Sequence, residues 1–169
     1  MLKPFDPIVV SAVAAAGACS IAIDLRERRV PNVLTFGTAA IGLTLAALHA
    51  TSVTLTGALA GLAIGLALML PGHVIGATGA GDVKLMAALG SLLGPGRAGY
   101  AVLYSMIAGG VIALIVAARR RRMSVTIERA AALLHTPGVA AEIEHPREHN
   151  RFAYAPAIAA GALAAALGL

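Results

Sequence analysis

Two aspartates carry the residues in this sequence best suited to chemistry. Asp82 closes a glycine-rich stretch that runs Gly76-Ala-Thr-Gly-Ala-Gly-Asp-Val-Lys-Leu-Met86, and Asp24 opens a second motif, Asp24-Leu-Arg-Glu-Arg-Arg-Val-Pro-Asn32. Each has an ordinary explanation. Asp82 stands at the start of a helical pattern, where a carboxylate caps free backbone amides. Asp24 stands beside three arginines at the end of an apolar run, where a solvated end residue is common. Together they could do more. Two carboxylates that face each other share a proton, so the ionised one can activate a water while the neutral one protonates a substrate. Nothing else in the chain offers a catalytic set: no Ser has a His in a recognisable context, and Cys19 sits in the middle of an apolar run.

What must position these residues is a membrane-embedded bundle. The chain has 169 residues, of which 59% are hydrophobic and 12% charged, with 8 carboxylates and no Trp. A soluble domain carries roughly twice that share of charge. Six apolar segments are expected, at about 7–25, 33–49, 55–71, 82–94, 100–118 and 152–169. Segments of 17 to 19 residues reach roughly 26–28 Å as helices, close to the hydrocarbon thickness of a bilayer. The fourth would reach only about 20 Å before Gly94-Pro95-Gly96 interrupts it, so it is either a short helix or follows a glycine loop that dips into the membrane. The fold expected is all-α and polytopic, with about six transmembrane helices in a single domain over 1–169. The run after Cys19 and the basic cluster that follows it argue against a cleaved signal peptide. One cysteine excludes an intramolecular disulfide and a thiolate metal cluster.

The net charge of +5 could suggest nucleic acid, but the basic residues gather at span ends, where orientation signals lie. Six spans put eleven of the thirteen Lys and Arg on one side, leaving only Lys3 and Arg97 on the other. Positive-inside then places both termini outside and the loops 26–32, 72–81 and 119–151 in the cytoplasm. Spans two and three return the chain to the same side between Asp24 and Asp82, so both carboxylates belong at the cytoplasmic edge. An ionisable group at such a place is a functional candidate.

Gly57, Gly61 and Gly65 form a stripe that lets another backbone approach the third span. Packing within the chain is the expected use, and a homo-oligomer the other; the Ala-rich last span, with Pro156 and Gly161, has the same character. Within the polar 119–151 region, Ile127 to Leu134 could form a surface amphipathic helix ended by Pro137-Gly138. His145 and His149 are four apart, but Pro146 between them disfavours a helical metal site, and no metal is expected.

Asp24 with its arginines and Val30-Pro31-Asn32, followed by Gly79-Ala-Gly-Asp-Val-Lys-Leu85, resembles the type IV prepilin peptidases, membrane aspartyl proteases of the Gly-x-Gly-Asp class. The resemblance extends over most of the chain, including the six-span layout and Pro156-Ala-Ile-Ala-Ala-Gly161. It implies that Asp24 and Asp82 are the catalytic pair, in the bacterial inner membrane. It also implies that the substrate is a prepilin whose basic leader is cut at the cytoplasmic face, after a Gly that precedes its hydrophobic helix. Bifunctional members carry an additional N-terminal region with Cys-x-x-Cys motifs and methylate the product. Six residues precede the first span here and there is no Cys pair, so the chain is more similar to the short peptidases of tight-adherence (Flp-type) pili. Neither methylation nor S-adenosylmethionine or another cofactor is expected.

Gly79, Gly81, Asn32 and Lys84 are expected to support the loop or the substrate. On a helix Lys84 points away from Asp82 and snorkels to headgroups; otherwise it offsets the charge of Asp82 or steers a substrate carboxylate. Glu27 balances its Arg neighbours, and Thr78 could hydrogen-bond within the glycine loop. Besides the prepilin, the partner expected is the lipid bilayer. The alternative function is a small transporter or pilus-assembly scaffold in which the two aspartates handle a proton or cation. Such carboxylates usually lie near the midplane, and both of these lie at one edge.

Overall fold

A computed structural model describes residues 6–76, 78–119 and 154–169. Within them the chain is all-α, with five helices: α1 (Pro7–Glu27), α2 (Asn32–Ala47), α3 (Leu55–Val74), α4 (Ala80–Arg119) and α5 (Ala155–Leu167). Three are long and apolar enough to cross a membrane: α1, α3 and the stretch Ala80–Val116 of α4. Helices α2 and α5 are apolar but shorter, at 16 and 13 residues. The outward faces carry large apolar side chains such as Phe36, Leu59, Leu68, Met106, Ile107 and Leu114, as a lipid-facing surface would. The expected 127–134 helix and the histidines at 135, 145 and 149 lie outside the described residues.

The ends of α1 follow from local chemistry. Asp6 caps its start, accepting hydrogen bonds from the amides of Ile8 at 3.1 Å and Val9 at 3.4 Å, with Pro7 in the first turn. Its other oxygen takes the amide of Ser52 at 2.7 Å, tying α1 to the α2–α3 connection. At the far end Arg28 adopts a left-handed conformation and its amide returns to Asp24 O at 2.8 Å. The helix thus runs two residues beyond the expected 25, and Asp24 lies inside its last turn.

The expected fourth and fifth segments are arms of one element. Only Gly94, at φ 75° and ψ 176°, leaves helical geometry, a conformation that other residues rarely tolerate. Pro95 then starts the second arm, where a missing amide hydrogen costs little. The interruption is therefore a kink, and Arg97, which falls between the two expected segments, is 8% exposed inside α4.

The first arm of α4 is the centre of the bundle. Leu85, Met86 and Leu89 are fully buried, with Leu92 and Leu93 at 3%. Helix α3 packs antiparallel to it through the glycine stripe: Gly57 faces Pro95, Gly61 meets the backbone of Gly90 and Gly94, and Gly65 that of Met86 and Ala87. The stripe is thus used within the chain. On another side Gly42 of α2 sits against Ser91. Helix α5 runs antiparallel to α1, with Gly17 against Ala159, and antiparallel to the second arm of α4, with Gly161 against Ala101 and Ser105.

Candidate active site

Asp24 is 6% exposed, an unusual setting for a carboxylate in an apolar bundle. Its Oδ2 accepts a hydrogen bond from the backbone amide of Ala155 at 3.2 Å. Ala155 is the first residue of α5, one of the four positions whose amide has no partner within its own helix. The buried carboxylate and the free amide satisfy each other.

Asp82 occupies the third position of α4, and its Oδ2 accepts the amide of Gly79, just ahead of the helix, at 3.1 Å. This is the carboxylate half of a capping box, so the capping role expected of Asp82 is present. The loop before it folds back on the end of α3: Thr78 N donates to Gly72 O at 3.1 Å, and His73 Nδ1 lies 3.0 Å from Thr78 O. Thr78 thus enters the loop's hydrogen bonding through its backbone. Its hydroxyl is buried with no partner among the described residues.

The two motifs meet in space. Gly81 lies against Val30: a side-chain carbon at 81 would sit 3.2 Å from Val30 Cβ, which is why a larger residue is poorly accommodated. Lys84 Nζ donates to Asn32 Oδ1 at 3.0 Å, bridging α4 to the first residue of α2. Lys84 is exposed, and its ammonium holds an asparagine of the other motif.

Asp24 and Asp82 also both act on one short segment. Asp24 binds the amide of Ala155, and the Asp82 carboxylate is within electrostatic reach of the neighbouring Tyr154. Tyr154 reaches into the bundle, its hydroxyl donating to Ser105 O at 3.1 Å and its ring covering Gly109. Neither Tyr154 nor Ala155 was a candidate from the sequence. A backbone amide leaves no mark in residue type; the available signal was Tyr154-Ala-Pro156, a proline in the first turn of a helix that begins on the side of both aspartates. Among the described residues no three His, Cys, Asp or Glu side chains group as metal ligands. Glu27 is exposed, and Cys19 lies on an exposed face of α1.

Residues 11–114 match the family model described as the type IV leader peptidase family. No curated protein and no solved structure matches the chain. The matched residues include both aspartate motifs and all of α2 and α3, and cover more than half of the sequence. The chain belongs to the type IV leader peptidase family.

Proposed function

We propose that this member of the leader peptidase family is a membrane aspartyl endopeptidase that removes the basic leader of type IV or Flp-type prepilins at the cytoplasmic face. Asp24 and Asp82 are its catalytic pair. The observation that carries the reading is the meeting of the two motifs through Lys84 and Asn32 and through Gly81 and Val30, with Asp24 buried and held by the Ala155 amide.

The chemistry follows from one proton on two carboxylates. The ionised carboxylate takes a proton from a water as its oxygen attacks the scissile carbonyl carbon; the protonated one gives its proton to the leaving amide nitrogen as the C–N bond breaks. The leader leaves with a new carboxyl group, and the mature pilin keeps a free amine. A prepilin's hydrophobic helix stays in the bilayer, which brings the cut site to the level of the aspartates and makes the encounter two-dimensional. In the six-span arrangement the two arms of α4 count separately, both termini face outside, and the eleven basic residues lie on the cytoplasmic side.

Co-expression with candidate prepilins, followed by mass measurement of the pilin N-terminus, tests this reading. Loss of the leader that depends on this protein supports it. An unprocessed pilin across the candidates, with the protein present in the membrane, favours a transporter or scaffold.

A further inference from the structure

We propose that the Tyr154–Ala155 junction at the start of α5 is a positioning element of the active site: the Ala155 N–H fixes the Asp24 carboxylate, and the Tyr154 side chain fixes the amide. The proposal rests on the peptidase reading above and goes beyond it, because α5 lies outside the matched residues 11–114.

Asp24 is buried, so the group that holds it decides which way its oxygens point, and the Ala155 amide contacts Oδ2 at 3.2 Å. Where that amide sits depends on the register of α5, and three contacts set it. The Tyr154 hydroxyl donates to Ser105 O, Gly161 lies against Ala101 and Ser105, and Ala159 lies against Gly17, two turns before Asp24 on α1. Tyr154 is also the residue whose carbonyl accepts the amides of Ala157 at 3.0 Å and Ile158 at 3.1 Å, so its position and the first turn of α5 move together. The charge of Asp82 also acts on Tyr154 through space, so this junction is coupled to both carboxylates. A shift of Tyr154 therefore turns Asp24 relative to Asp82 without removing either carboxylate, and misplacement of about 1 Å costs catalysis heavily.

The test uses the full-length protein in liposomes and a prepilin carrying its basic leader. Lactic acid at position 155 replaces the Tyr154–Ala155 amide by an ester and removes the N–H while keeping the methyl group. The expected result is a fall in kcat of about ten- to a hundredfold with KM within about twofold. Gly109→Ala places a methyl group where the Tyr154 ring lies and should lower kcat in the same way, whereas Gly110→Ala, beside open space, should not. Tyr154→Phe, which keeps the ring, should retain more kcat than Tyr154→Ala. Thermal melting supplies a readout besides activity: the ester should cost several degrees in the unaltered background and much less in Asp24→Ala. An ester variant with unaltered kcat, or one whose melting loss is equal in both backgrounds, overturns the proposal. Failure of the unaltered protein to cleave would overturn the peptidase reading itself.

Discussion

Lys84 Nζ and Asn32 Oδ1 are 3.0 Å apart, and this hydrogen bond joins two motifs separated by 52 residues. It fastens the first arm of α4, two residues after Asp82, to the start of α2, near the contact of Gly81 with Val30. Because the pair is exposed, its contribution to stability is modest, about 0.5–1.5 kcal/mol. Lys84→Met and Asn32→Ala should each lower kcat several-fold with little loss of folded protein, and the double variant should resemble either single one. Additive losses in a double-mutant cycle would show that the two side chains act separately.

The opposite end of the bundle carries a pH-sensitive tether. Burial alone would raise the Asp6 carboxyl, but backbone hydrogen bonds from Ser52 and Val9, the Ser52 side chain and the Ile8 amide outweigh it and hold it below the usual 3.8. A carboxyl depressed on folding stabilises fully above its unfolded value, and that contribution is lost as pH falls through the lower, folded value. The difference in melting temperature between the unaltered protein and Asp6→Asn should therefore be constant near neutrality and shrink as pH drops below about 4. A difference that grows on acidification would contradict the assignment.

The α3–α4 crossing is set by backbone, not by side chains that could move aside. A methyl group on Gly61 would collide with Gly90 O and the backbone of Gly94, whereas one on Gly37 meets nothing within 4 Å. Gly61→Ala should destabilise by about 3 kcal/mol, at the upper end of overpacking costs, and Gly37→Ala should be close to neutral. Thermal melting in detergent measures both.

Orientation is open to direct labelling. Single cysteines at Ser52 and Ser124 in a Cys19→Ser background should react oppositely with an impermeant thiol reagent in intact cells, Ser52→Cys from outside and Ser124→Cys only after permeabilisation. External labelling of Ser124→Cys would overturn the one-sided placement of the aspartates.

Much of this arrangement could be read from residue types, and the parts that could not share a physical cause. Asp24 and Asp82 stand out in the sequence because an ionisable group in an apolar chain needs a reason to be there, and their motifs are the ones that the Lys84–Asn32 bond joins. The glycine stripe at 57, 61 and 65 announced a close approach, but its partner, the backbone of Gly90 and Gly94, has no side-chain signature. Gly94-Pro95-Gly96 announced an interruption, yet glycine and proline mark a kink and a loop equally, and only packing decides between them; here the helix resumes at Pro95. The bridge from Lys84 to Asn32 and the hold of Ala155 on Asp24 depend on tertiary register, which links positions 52 and 131 residues apart. Local pattern carries no information at that range.

The most direct test of the aspartyl mechanism replaces each carboxylate by its isosteric amide. Asp24→Asn and Asp82→Asn should each lower prepilin cleavage by at least about a thousandfold at unchanged membrane level, and the double variant should be hardly worse than either, since groups acting as a unit fail together. Glu27→Gln, which removes an exposed carboxylate from the same turn of chain, should keep most of the activity. Substantial cleavage by either Asn variant at normal protein level would contradict the paired-aspartate account.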